Sequence, residues 1–292
     1  MHSPTIPGDG LYPTFFVAIE PVERSTAENE VVFAWEGVTT SGSGTRAPTL
    51  CPGIVWPTGM SISNPSASAA AQSAVPIGRK YVQYSGDGTI AARWPDESEW
   101  VEFDDMWDLN TPLIAESCQQ WDVYDNSDDE TAWLKEAISQ IAEDANVDPR
   151  FILAIVMQES KGCVRVNVKI TTGAGSNPGL MQSAAGIGTC NGEPRDGCTY
   201  EAIEQMIRDG TQGVNSSLPG PVNCLVTALA WTRAEDVSRY YKAARLYNSG
   251  LYDHILDDLQ QGCCTHCYAS DVANRLRGWT TLPSSCTFDS QA

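Results

Sequence analysis

Glu159 is the ionisable residue best placed to do chemistry. It follows an apolar run at 151–157, and Ile152, Ile155 or Val156, and position 159 lie three and four residues apart, on one stripe of a helix. A carboxylic acid there extends a buried apolar face at the carboxyl end of the helix. Desolvation and the negative end of the helix dipole both disfavour the ionised form, so both raise its pKa toward the range that suits a general acid near neutral pH. The plainer alternative is that the helix stops there and the side chain reaches water. Other chemistries find little footing. No Gly-x-Ser-x-Gly elbow, phosphate loop or His-Glu-x-x-His motif is present, and His2, His254 and His266 are too few and too scattered to suggest a catalytic triad. A glycosidase that works with two carboxylates needs a second acid roughly 5–5.5 Å away for retention or about 6.5–9.5 Å for inversion. Asp104, Asp105, Asp196 and Asp209 are available, and no spacing singles one out. The acidic run at 125–130 lacks the mid-loop Gly and terminal Glu of a calcium hand and reads as a solvated helix start.

The elements that must hold Glu159 are helical. Ser127 followed by Glu130 is a capping box, and Leu134, Ala137, Ile138, Ile141 and Ala145 then recur on one face. Asp148 and Pro149 open the next helix as N-cap and first turn, and its apolar character nearly all round predicts burial on several sides, with Gly162 as the stop. Tyr200, Ile203 and Ile207 predict a third helix closed by Gly210. A fourth is expected over about 222–231, a fifth over 234–247 with Val237, Tyr240, Tyr241 and Ala244 on one side, and a last from Asp271 through Val272, Leu276 and Trp279. With no convincing strand alternation, the expected fold is mostly α. Residues 1–75 differ: the stretches 39–45 and 61–68 are rich in small polar residues that bury little apolar area, so this segment reads as an irregular N-terminal extension before a domain at 76–292.

Composition narrows the class. The chain has 292 residues with 37 Asp and Glu against 18 Lys and Arg, a formal charge of −19. Phosphate neutralisation supplies most nucleic-acid affinity, so a chain with no basic stripe is a poor DNA or RNA binder. The longest apolar run, at 151–157, cannot span a bilayer. Ten cysteines at irregular spacing read as structural disulfides of an oxidising compartment, and Cys190 with Cys198, bracketing Gly192, Pro194 and Gly197, is the pair most readily joined. The cluster Cys263-Cys264-Thr265-His266-Cys267 has no second ligand group with zinc-like spacing, so no metal is expected. The first seven residues have neither a cationic segment nor a long apolar core and do not read as a signal peptide, so the expectation of an extracellular protein rests on the cysteines; the sequon Asn215-Ser216-Ser217 is compatible with it.

Three motifs occur in order: Glu159-Ser160, Gly179-Leu180-Met181-Gln182, and Leu246-Tyr247-Asn248-Ser249-Gly250. Together they resemble the soluble lytic transglycosylases of the lysozyme-like superfamily, whose signature is Glu-Ser, a Gly-Leu-Met-Gln stretch and an Ala-Tyr-Asn-x-Gly turn. The strings at 151–162, 177–182, 244–250 and 267–272 are similar to secreted fungal members of that group. The resemblance covers about 118–280, more weakly from Tyr81, and does not reach the first 75 residues. It implies a lysozyme-like helical domain that cleaves β-1,4 bonds of peptidoglycan as a muramidase or lytic transglycosylase, as a monomer and with no cofactor. Glu159 would be the single catalytic acid and base. Ser160, Met181, Gln182 and Asn248 would line the saccharide groove, and Tyr247 would help orient the acid. The residue types suit these roles, since amides hydrogen-bond an N-acetyl group in both directions and a Tyr hydroxyl can hold a carboxyl. Tyr247 also continues the stripe of Tyr240 and Ala244, so plain packing stays open for it, as it does for Met181. Two departures, the segment from Lys161 to Arg165 with the Gly-rich loop after it, and Leu246 where Ala is typical, bear on the sugar accepted more than on the fold. Chitin or chito-oligosaccharide hydrolysis, and an inactive sugar-binding protein of the same fold, are the alternative readings.

Overall fold

The computed structural model describes residues 80–167, 169–171, 175–214, 224–250, 257–261, 264–280 and 284–286. The extension expected at 1–75, its boundary and the Asn215 sequon lie outside the described residues. Among those residues the chain is mostly α with disulfides. The helices are α1 (Phe103–Ala115), α2 (Asp128–Ala145), α3 (Pro149–Glu159), α4 (Tyr200–Thr211), α5 (Leu225–Thr232), α6 (Ser238–Ser249) and α7 (Tyr268–Leu276). Two short antiparallel strands, β1 (Lys169–Thr171) and β2 (Gly175–Asn177), pair Lys169 with Asn177 and Thr171 with Gly175.

Helix α3 sits at the centre because its sequence leaves it no wet face. Side chains 151–157 are all fully buried, and the helix packs against α1, α2 and α7. Complete burial of each large apolar side chain contributes roughly 1.5–3 kcal/mol, so α3 is where the fold is anchored. Its start follows the expected chemistry. The Asp148 carboxylate accepts the Arg150 N–H at 2.8 Å and also grips the Arg150 guanidinium, and Pro149 occupies the first turn, where its missing N–H costs nothing. The helix stops at Glu159, before Gly162. The chain then turns through Lys161 and Gly162, both at positive φ (57° and 86°). A Cβ on Gly162 would stand 2.8 Å from Ile114 Cγ1 of α1, so that turn also depends on an absent side chain.

Helix α2 begins with the expected capping box: the Ser127 hydroxyl accepts the Glu130 N–H at 3.2 Å and the Glu130 carboxylate accepts the Ser127 N–H at 2.8 Å. The reading of 125–130 as a solvated run needs correcting at its end. Asp128 and Asp129 are exposed, but Glu130 is fully buried and paired with the equally buried Arg165. Arg165 also donates to the carbonyls of Glu193 and Pro194, and Glu130 accepts the Cys198 N–H, so the pair ties α2 to the 190–198 loop. A charge enters the interior there because every partner it needs is supplied by the chain.

Helix α1 and the strand pair were not anticipated. Three acidic residues and the interior Pro112 break up the apolar pattern of α1, although Met106, Trp107, Asn110 and Ile114 form a buried face. Strands of three residues are too short to show alternation. Helix α4 runs past Gly210 to Thr211, α5 and α6 begin later than expected, and α7 begins at Tyr268, ahead of Asp271.

Residues 81–100 form no α-helix, yet they brace the core. The Asn274 side chain pairs with both the N–H and the carbonyl of Val82. Trp100 Nε1 donates to the Tyr241 hydroxyl at 2.9 Å, which donates to the Pro95 carbonyl at 2.8 Å. Trp94 and Trp100 pack on Tyr241 and Tyr240, and Tyr240 on Phe151, at centroid separations near 5 Å. These aromatic rings serve packing. Disulfides brace the frame, and those with both ends among the described residues are Cys118–Cys163, the expected Cys190–Cys198, and Cys267–Cys286. Cys224 and Cys264 are disulfide-bonded too.

Candidate active site

The carboxyl end of α3, the carboxyl end of α6, the start of α7 and the turn at 178–183 meet around Glu159. Glu159 is half-buried, so it neither vanishes into the core nor extends freely into water. Its Oε1 accepts a hydrogen bond from the Tyr268 hydroxyl at 2.6 Å. Tyr268 opens α7 and is buried. Burial, followed by the adjacent Glu159 charge, pushes its pKa well above the usual phenol range. Tyr268 therefore stays a neutral donor at any working pH and holds the carboxyl without competing for its proton.

Tyr247, expected to orient the acid, hangs from the turn at 178–183. Its hydroxyl donates to the Met181 carbonyl at 2.8 Å. Burial, followed by the Glu159 charge, raises its pKa, so it lies within electrostatic reach of the acid. A direct partner of Glu159, Tyr268, comes from the string at 267–272, and no periodicity in the sequence pointed to it.

The other expected residues divide. Ser160 does not line a groove: it is fully buried, its hydroxyl donates to the Val156 carbonyl at 3.1 Å and accepts the Gly162 N–H, which finishes α3. Met181 does not line one either. Its side chain is fully buried and lies so close to α4 that a Cβ on Gly210 would stand 2.5 Å from Met181 Cβ and Sδ. That explains Gly210, expected to close α4 and found instead within the helix: the absent side chain admits the methionine. Gln182 is mostly buried, with a positive φ of 46°. Its amide donates to the carbonyls of Gly179 and Asn167 and so braces the turn. Asn248 is half-exposed, and its carbonyl oxygen accepts the Thr265 N–H at 3.0 Å, which fixes the approach to α7. Thus Glu159, Tyr247 and Asn248 are the partly exposed members of the set, while Ser160, Met181 and Gln182 are buried.

Four polar residues near this region, Gln158, Tyr81, Asp271 and Arg275, were given no site role from the sequence. Gln158 donates to Asp271 at 3.0 Å and accepts from Arg275 Nε at 2.8 Å, and Tyr81 donates to Asp271 at 2.6 Å. Burial raises the pKa of Asp271 and pushes that of Arg275, stacked on Trp279, down to about 10. Asp209, considered from the sequence only as an available second acid, is buried in the last turn of α4. Like Glu159 it is a carboxylate at the end of an apolar stripe, a signal present in the sequence and left unused. Of the carboxylates considered as a second acid, Asp104, Asp105 and Asp196 are exposed, and Asp209 is occupied by three donors. Among the described residues no cluster of three His, Cys, Asp or Glu could hold a metal ion, and Cys267 is joined to Cys286.

The arrangement can lend and recover one proton. A single half-exposed carboxyl, aimed by a neutral phenol and backed by apolar core, suits general acid and then general base chemistry. No family model, curated protein or solved structure matches the chain.

Proposed function

We propose that the chain is a secreted, lysozyme-like enzyme that cleaves β-1,4 bonds of peptidoglycan, with Glu159 as the only acid and base. The observation that carries this reading is the Tyr268 hydroxyl on Oε1 of a half-buried Glu159. In the proposed cycle Glu159 protonates the oxygen between N-acetylmuramic acid and N-acetylglucosamine. As a carboxylate it then takes a proton from an attacking hydroxyl. That hydroxyl is the muramic acid 6-OH, giving a 1,6-anhydro end, or water, giving a reducing end. Tyr268 keeps the same oxygen aimed through both steps, because its own proton is too tightly held to be lost. The ordered motifs of the lytic transglycosylases support the substrate class, and the disulfides support an oxidising, extracellular location. No helix among the described residues is long and apolar enough to cross a membrane.

The test is mass spectrometry of muropeptides after incubation with purified protein. Wild type should release muropeptides, and Glu159→Gln, which keeps the side chain's size but cannot donate that proton, should retain less than a tenth of the activity. Residual lysis above that level removes Glu159 from the chemistry. N-acetylglucosamine oligomers released from chitin would move the substrate to chito-oligosaccharides. Glycan binding with no bond broken would leave an inactive sugar-binding protein.

A further inference from the structure

We propose that Asp209 is a positioning residue of this site: its carboxylate clamps the 178–188 loop and so sets the place of Tyr247 beside Glu159. Asp209 Oδ2 accepts the N–H of Ile187 and of Gly188, each at 2.7 Å, and Oδ1 accepts the Gln205 side-chain amide at 2.6 Å. The residue is 2% exposed, so water does not share this work. An acidic side chain taken so far from water normally carries a heavy desolvation cost, and here three donors offset it. Two of the three belong to the loop backbone. The clamp therefore exists only while the loop lies on α4.

The loop passes that constraint toward the acid. Gly186 N–H donates to the Ser183 carbonyl and Ser183 N–H to the Pro178 carbonyl, which closes the segment into consecutive turns. Two residues before Ser183, the Met181 carbonyl receives the Tyr247 hydroxyl, and the Met181 side chain fills the gap above Gly210, the neighbour of Asp209. The last turn of α4 thus holds the loop at two points, with the carboxylate on 187–188 and the glycine under Met181. Tyr247 hangs from the far side of the same loop, and its hydroxyl senses the charges of both Glu159 and Asp209. Asp209 touches no reacting atom. It acts through backbone hydrogen bonds, and for that role the acceptor geometry matters more than the negative charge.

This distinction supplies the test. Asparagine can turn its carbonyl oxygen to the two loop N–H groups and its amide to Gln205, whose side chain flips to accept. Alanine supplies no acceptor. Amide hydrogen exchange at Ile187 and Gly188 and steady-state kinetics on peptidoglycan fragments are measured for wild type, Asp209→Asn and Asp209→Ala in the full chain. Asp209→Ala is expected to lose at least tenfold protection at both amides and at least tenfold in kcat, with KM within threefold, whereas Asp209→Asn restores protection and at least half of kcat. Wild-type protection or wild-type kcat in Asp209→Ala overturns the proposal, as does a folded Asp209→Asn with kcat below a tenth of wild type. The last comparison also decides the matter if Asp209→Ala does not fold. The kinetic arm rests on the proposed glycan cleavage. The exchange arm needs no substrate, so a wild type that breaks no glycosidic bond refutes the function while the clamp is still judged by its amides.

Discussion

A hydrogen bond from a phenol to a carboxyl does two different things depending on whether the phenol can ionise. At Glu159 it cannot, because burial and the neighbouring charge hold the Tyr268 proton in place. The bond therefore works as a hinge pin for the carboxyl, and removing it frees that group to swing. Tyr268→Phe keeps the ring in its packing site and deletes only the donor. Hydrogen bonds to charged groups are worth about 1.5–3 kcal/mol, which corresponds to roughly a 10- to 150-fold loss in kcat if the bond is fully used in the transition state. The fold should survive with a small shift in Tm. Kinetics and a thermal melt on the same preparation check both parts, and a Phe variant with wild-type kcat would reduce Tyr268 to a packing residue.

Among the elements, α2 and the loop at 190–198 are joined by a contact that depends on pH. Burial works to weaken Glu130 as an acid, yet the Arg165 guanidinium and the N–H groups of Ser127 and Cys198 together make it a stronger acid than a free glutamate. A carboxyl whose folded pKa is depressed contributes stability above its unfolded pKa and loses it as pH falls through the folded value. The Glu130 contribution should therefore be complete at neutral pH and fade on acidification below about 4.3. Glu130→Gln leaves Arg165 buried without its counter-charge and should cost about 3–5 kcal/mol at pH 7, with the gap to wild type narrowing in acid. Denaturant titrations at neutral and acid pH measure this. Much of the frame was legible in advance, because the caps at Ser127 and Asp148 and the unbroken apolar run of α3 are local signals. What stayed hidden was pairing between distant residues. Glu130 looks like any acidic residue of a first helical turn until Arg165 is folded onto it. Ser160 and Met181 carry a motif, yet their side chains turn inward, and only packing decides that direction. The bond from Tyr268 to Glu159 spans 109 positions of chain, far beyond the reach of any periodicity.

For the molecule as a whole, charge works against the proposed substrate. The chain carries −19, and bacterial walls are anionic, so long-range fields repel the protein before any contact forms. Added salt shortens the screening length to about 8 Å at physiological strength, and lysis of intact cells should rise between low and physiological salt. Turnover of a small uncharged oligosaccharide should change little over that range. Turbidity assays beside soluble-substrate kinetics separate the two, and a flat response on cells would mean that approach to the wall is not limited by repulsion. Both partners of the Glu159–Tyr268 bond also stand next to a covalent tie: Cys163 follows Glu159 by four positions and is joined to Cys118, while Cys267, joined to Cys286, directly precedes Tyr268. Reduction of both ties would loosen the segments beside both residues at once, so the pairing of this carboxyl with its phenol depends on an oxidising surrounding.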